Sequence, residues 1–366
     1  LSRRTLARVA LAGAAVLMLA GLSGCGSDDA GASVAVSSGT IGVAMPTTSS
    51  TRWVNDGDNM KKQFELLGYQ TDVKFAEDDV KTQVAQIQGM IDEHAKALIV
   101  AAVDGTALTD VLAKAADADI PVIAYDRLIR DTANVSYYAS FDNFRVGVLQ
   151  AGYLARTLKL SSAPGPFTIE LFAGDSKDNN AGFFFNGAMS VLKPYLRSGK
   201  LEVRSGQQSF ARVTTAGWSG DVAQKRMTTL LGQDYTSTRL DAVLSPYDGI
   251  SRSIIAALQK DGYGKKSKPL PAITGQDAEL ESVKDIAAGT QGETVYKDSR
   301  ELAKVAVQMA DSLISGNTPE VNDTKQYNNG VKDVPSFLLQ PVSVDRTNYQ
   351  TVLIDGGYYT ADQIEG

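Results

Sequence analysis

From Thr40 onward, short apolar runs alternate with segments of helical period, and this alternation narrows the fold more than any other feature of the chain. Ile41–Met45, Thr71–Phe75, Ala97–Val103 and Pro121–Tyr125 read as buried strands. Between them the apolar positions recur at helical spacing. One helix closes over Lys61–Leu67. A second runs from Val80 to His94, with Val80, Val84, Ile87 and Ile91 on one face. Thr106 is expected to cap a third. The pattern restarts with strands at Phe167–Ala173, Leu201–Val203, Asp241–Ser245 and Ala272–Thr274. Helices are expected near Ala181–Leu192, Asp221–Leu231, Ile250–Asp261 and Ser299–Ile314. Strand-helix alternation implies parallel pairing through right-handed crossovers, so the reading is α/β: two Rossmann-like lobes, each an open parallel sheet flanked by helices. Leu160–Pro166 is the clearest loop between the halves, and Ser336–Pro341 and Thr351–Ile354 are strand-like pieces of the tail.

The first residues read as an address. Arg3, Arg4 and Arg8 precede an apolar run from Val9 to Leu22, and Leu22-Ser23-Gly24-Cys25 resembles a lipoprotein signal box. We therefore expect a signal peptide over 1–24, lipidation of Cys25 and a flexible tether over 25–38 rich in Gly, Ser, Ala and Asp. Ser2-Arg3-Arg4 also resembles a twin-arginine export signal.

The 366 residues carry a net charge of -6, with one Cys and one His. That balance argues against nucleic acid as partner, because phosphate neutralisation needs a surplus of Lys and Arg. The single Cys and His argue against a Cys/His metal site, a disulfide framework or a His-based triad, and no cofactor is expected. His94 reads as an exposed helix-end residue. DGDNMKKQFE from Asp56 fails as a calcium loop, since Met60 stands where an oxygen ligand is required.

In open α/β sheets, ligands bind beyond the carboxyl ends of the strands. Those ends carry Arg52-Trp53, Asp126-Arg127, Asp178-Asn179-Asn180 with Phe183–Phe185, Tyr247-Asp248, Gly275-Gln276-Asp277 and, near Glu293–Tyr296, Lys297. Planar Asp, Asn and Arg groups can meet two adjacent sugar hydroxyls, and rings such as Trp53 or Phe184 can cover a sugar's C–H face. Each Asp or Asn also has a bland reading as a helix N-cap; their recurrence at nearly every strand exit favours a site.

Eight strings in order carry a resemblance: STRW (50–53), VIAYDRLI (122–129), YASFDNFRVG (138–147), DNNAGFFFNGAMSVLKPY (178–195), DAVLSPYDG (241–249), ITGQDAE (273–279), VYKD (295–298) and VLIDGGYY (352–359). Over about 38–366 the chain resembles the type I periplasmic solute-binding proteins of the ribose/xylose group, closest to the multiple-sugar-binding receptors of plant-associated bacteria. The resemblance implies three hinge crossings between lobes, formed by 39–142 with 274–335 and by 143–273 with 336–366. It implies a monosaccharide, an aldose pentose or hexose, clamped by Arg52, Trp53, Asp126, Arg127, Asn143, Asn180, Phe184, Asp248, Gln276 and Lys297. Trp218, within ARVTTAGWSG, is left as site, lobe surface or neither. The implied protein is a monomeric, exported, lipid-anchored component of an ABC sugar importer, partnered by permease and ATPase subunits; presentation of ligand to a sensor kinase is the alternative. It is not an enzyme. A glycosidase would use paired carboxylates, of which Asp126 with Asp248 is the available pair. A sugar-responsive repressor would begin with a helix-turn-helix where this chain has its export-like segment.

Overall fold

The computed structural model describes residues 39–365; the expected signal peptide, Cys25 and the tether lie outside them. The chain enters one lobe through β1 (Thr40–Met45), α1 (Thr51–Leu66), β2 (Gln70–Phe75), α2 (Val80–Asp92), β3 (Leu98–Val100), α3 (Thr109–Asp117), β4 (Val122–Tyr125) and β5 (Tyr137–Phe141). It then crosses into a second lobe. There it forms α4 (Asn143–Thr157), β6 (Phe167–Leu171), α5 (Asn179–Arg197), β7 (Leu201–Glu202), α6 (Phe210–Val213) and α7 (Gly220–Asp234). The same lobe continues with β8 (Ala242–Leu244), α8 (Asp248–Lys260), β9 (Ala272–Ile273), α9 (Leu280–Ala288) and β10 (Glu293–Tyr296). The chain returns to the first lobe for α10 (Ser299–Ile314) and β11 (Ser336–Leu339), and crosses a third time into β12 (Val342–Asp345) and α11 (Ala361–Glu365).

The first sheet has the order β11-β5-β4-β3-β1-β2, every pair parallel. Its inner strands β1, β3 and β4 are apolar on both faces because both faces are covered, whereas the edge strand β2 is polar and partly exposed. One face packs Leu98, Val100, Val122 and Ala124 against Ile87, Met90, Val111 and Leu112 of α2 and α3. The other packs Ile41, Val43, Ile99 and Ile123 against Met60 and Phe64 of α1 and Leu302, Ala306 and Met309 of α10. The second sheet runs β7-β6-β8-β9, with α4 and α5 on one face and α7 and α8 on the other. A parallel bridge between Gln276 and Val295 adds β10, and β12 pairs antiparallel to it.

Aspartates start the helices nearest the cleft. Asp142, Asp178 and Asp298 accept from the backbone N–H groups of Arg145, Asn180 and Arg300, which fixes where α4, α5 and α10 begin. Two glycines set how α4 meets α5. A Cβ on Gly147 would stand 1.8 Å from the Phe184 carbonyl oxygen, and one on Gly187 would stand 2.0 Å from that of Phe144. Backbone-to-backbone contact at this point carries the first turns of α5 to the first crossing.

Several expectations need correction. Segment 274–296 belongs to the second lobe, not the first: Gln276 bridges Val295 there, β10 pairs with β12, and Ala278 and Val283 pack with Val344, Leu353 and Ile364. Ser336–Leu339, expected in the second lobe, pairs with Tyr138–Phe141 as the edge of the first sheet. Thr351–Ile354 is not a strand but part of a π-helical turn over Gln350–Asp355. Thr106 does not cap α3, whose N-cap is Leu108. No helix among the described residues is long and apolar enough to cross a membrane.

Candidate functional site

The carboxyl ends of both sheets face one cleft, and between the lobes lies a cavity of about 830 Å³. Of the ten residues singled out in the sequence, eight line it: Arg52, Trp53, Asp126, Arg127, Asn180, Phe184, Gln276 and Lys297. Asn143 and Asp248 do not. Asn143 is buried at the start of α4, its amide directed at Tyr138 and Ser140. Asp248 is buried inside the second lobe. It accepts from Gln291 Nε2 at 2.8 Å, Glu279 N at 2.9 Å and Thr294 Oγ1 at 3.0 Å. Burial, with Glu279 nearby, pushes its carboxyl well above the usual range. The carboxylate pair that a glycosidase would need, Asp126 with Asp248, is therefore not assembled in the cavity.

Arg52 is the hub. It enters from the first turn of α1 and is almost fully buried. Its Nη2 donates to Asp126 Oδ2 at 2.5 Å, Nη1 lies 3.5 Å from Asp277 Oδ1, and Nε lies 3.5 Å from Asp56 Oδ2. Asp126 follows β4 in a left-handed conformation (φ 58°) that aims its side chain at Arg52. Lys297, in the second crossing, pairs with Asp277 at 2.9 Å and lies 3.9 Å from Asp126. Burial alone would raise the Asp126 carboxyl; the cations Arg52, Lys297 and Arg127 outweigh it and hold it down at about 2. It is therefore an acceptor at neutral pH.

Two guanidinium groups approach Trp53, with Arg52 Cζ 4.7 Å and Arg127 Cζ 5.1 Å from its ring centre. Arg127 reaches Asp178 across the cleft at 3.4 Å. Burial raises the Asp178 carboxyl, with Arg127 opposing. Asn180, from α5, donates to the Asp126 carbonyl at 2.7 Å and accepts from Tyr138 at 3.1 Å. Arg52–Asp277, Arg127–Asp178, Lys177–Asp104 (3.8 Å) and Asn180–Asp126 all join one lobe to the other, so the lobes stand closed on each other.

Sequence reasoning noted Asp277 at a strand exit without choosing it as a contact, and left Trp218 open; both line the cavity. Asp277 is the neighbour of a residue that was chosen, Gln276, and side-chain direction at that turn depends on a positive φ of 88°. Trp218 follows Gly217 in a turn where both residues have positive φ. Its ring stands edge-on to Phe184 (6.4 Å) and Tyr247 (6.2 Å). Trp218 Nε1 and Gln276 Oε1 are buried with no hydrogen-bond partner in the protein. A buried donor or acceptor left so costs roughly 1–3 kcal/mol, a cost that a polar ligand in this cavity would offset.

Two α/β lobes joined by three crossings, with charged planar groups from both lobes converging on one cavity, define a two-lobed solute-binding protein of the type I periplasmic fold. Residues 41–318 match the periplasmic binding protein domain, and the chain belongs to that family. It is 56% identical over 331 residues to the multiple sugar-binding periplasmic receptor of Rhizobium radiobacter, covering 90% of this chain and 94% of that one. It is 37% identical over 324 residues to the D-xylose-binding periplasmic protein of Escherichia coli, covering 88% and 91%. A solute-binding protein of an ABC transporter from Clostridium phytofermentans, solved with bound β-D-glucose, superposes with a TM-score of 0.85 at 47% identity. That match covers 89% of this chain and 99% of the other. These relatives are binding proteins rather than enzymes.

Proposed function

We propose that this chain is the extracytoplasmic substrate-binding component of an ABC sugar importer, and that its ligand is a monosaccharide, an aldose pentose or hexose. The observation that carries the reading is the convergence of Arg52 and Asp126 from the first lobe with Asn180 and Asp277 from the second, with Lys297 between them. Such groups are fixed donors and acceptors suited to vicinal hydroxyls, and Trp53, Phe184 and Trp218 supply apolar wall. Sugar touches both walls only when the lobes are together, so it shifts the population toward closure. The sugars named for the relatives at 47% identity and above support this class of ligand.

Arg52, Trp53, Asp126, Arg127, Asn180, Phe184, Gln276 and Lys297 are the proposed sugar contacts, with Asp277 and Trp218 added. The closed form docks as a monomer on a membrane permease, with lipidated Cys25 holding the body at the outer face of the cytoplasmic membrane. A second reading, presentation of sugar-loaded protein to a sensor kinase, draws on the relative named as a receptor. Co-purification with a sensor ectodomain tests it.

The direct experiment is a thermal-shift screen of the exported protein against common monosaccharides. A sugar at 100 times its Kd adds about 2.7 kcal/mol to the folded state. D-glucose and D-xylose are expected to raise Tm, and a flat result with every monosaccharide refutes the proposal.

A further inference from the structure

Asp56 is a fully buried carboxylate to which the binding scheme above assigns no part. It lies one helical turn after Arg52 on α1, does not line the cavity, and meets the guanidinium at its Nε edge at 3.5 Å. Arg52 faces it from its own helix, Tyr125 and Asp126 from the end of β4, the Ser299 hydroxyl from the start of α10, and Tyr358 from the tail. Neither of its oxygens makes a hydrogen bond of normal geometry, so the ion pair to Arg52 is its main compensation for burial.

A guanidinium is a rigid planar fork, and its useful edge is aimed only if the whole plane is held. Asp126 and Asp277 hold Arg52 at Nη2 and Nη1, on the cavity side. Among the described residues, the ion pair on the opposite, Nε edge is the one with Asp56, at 3.5 Å and without hydrogen-bond geometry. We infer that Asp56 is a positioning residue: its carboxylate grips the rear edge of Arg52 so that the two Nη groups present their donors to the cavity. The inference rests on a sugar being the ligand there, and it deepens that reading by making affinity depend on a group that the sugar never touches.

The grip requires the carboxylate form, because a neutral carboxyl has no charge to pair with the guanidinium. Burial pushes the Asp56 carboxyl up to about 6, with Arg52 opposing, which brings the loss of that form into an accessible pH range. If only the ionised form is competent, apparent affinity scales with its population. That population falls about tenfold between pH 7.5 and pH 5.

The experiment compares wild type and Asp56→Asn by calorimetric titration with D-glucose from about pH 5 to 7.5, in a His94→Gln background that removes the chain's one imidazole. Wild type is expected to weaken up to about tenfold on acidification, centred near pH 6. Asp56→Asn, which has no ionised form at any pH, is expected to be more than about tenfold weaker at pH 7.5 and flat across the range. A second readout needs no sugar. With Trp218→Phe, Trp53 is the remaining tryptophan, and its fluorescence reports Arg52, which stacks on it. A transition near pH 6 that disappears in Asp56→Asn is expected. The inference is overturned if Asp56→Asn binds as tightly as wild type at pH 7.5, if it keeps the wild-type pH profile, or if Trp53 shows no transition near pH 6. If wild type binds no monosaccharide at any pH, the sugar-binding reading fails, and the Trp53 titration still decides whether Asp56 positions Arg52.

Discussion

Replacing Asp126 by Asn removes one charge and little else. The left-handed backbone at this position suits Asn as well as Asp, and the side chain keeps its shape. Arg52 then loses its 2.5 Å carboxylate partner and keeps Asp277 at 3.5 Å; Lys297 loses a neighbour at 3.9 Å. A hydrogen bond to a charged group is worth about 1.5–3 kcal/mol, so affinity for D-glucose is expected to fall roughly 10- to 150-fold. Stability changes too. The carboxyl is held at about 2, below its ordinary 3.8, so its ionised form stabilises the fold above pH 4 and that contribution is lost as pH falls toward 2. At about 1.4 kcal/mol per pKa unit, wild type should exceed Asp126→Asn by about 2 kcal/mol at neutral pH and lose the difference in acid. Calorimetric titration at pH 7.5 and urea unfolding at pH 7 and pH 3 measure both. A folded Asp126→Asn variant that binds glucose within about threefold of wild type would refute the assignment of Asp126 as a charged ligand contact.

Two further outcomes follow from the packing. Burial pushes the Glu293 carboxyl up to about 8, and Oε2 has no partner while Ser343 donates to Oε1 at 2.9 Å. The folded state therefore prefers the neutral acid, and stability falls as pH rises from about 4.5 through 8. Glu293→Gln should raise Tm at pH 8 and leave it nearly unchanged at pH 4.5; an equal shift at both pH values refutes this. Gly147→Ala drives a methyl into the Phe184 carbonyl, where no side chain can yield. It should cost at least about 1–3 kcal/mol in urea unfolding and also weaken sugar binding, because α5 carries Asn180 and Phe184.

What could be read from the sequence follows the range of the interactions involved. Helix α10, Ser299–Ile314, was bounded correctly because its period and its Asp298 cap are local. Several strands were read too long, Ala97–Val103 by four residues for Leu98–Val100, because apolar runs outlast their ladder bonds. The lobe of Ser336–Leu339 was misread because any short apolar strand suits either sheet; only the partner, Tyr138–Phe141, decides. Asp126 and Asp248 look alike in sequence, each following an apolar strand. They differ in the turn that follows: Asp126 turns into the cleft, while Asp248 begins α8 and turns inward to Gln291 and Thr294. Asp277 was passed over beside Gln276 because a positive φ decides which of two neighbours faces the ligand.

The place of β11 also sets the order in which the molecule can be completed. The sheet of the first lobe lacks its outermost strand until residue 339 has been made, long after β5 at 137–141. Throughout synthesis of the second lobe, β5 therefore offers an unpaired, largely apolar edge to any passing strand. Neither lobe can mature before most of the chain exists, and a ribosome stalled before β11 would hold a first lobe poised for aggregation rather than a usable half of the protein.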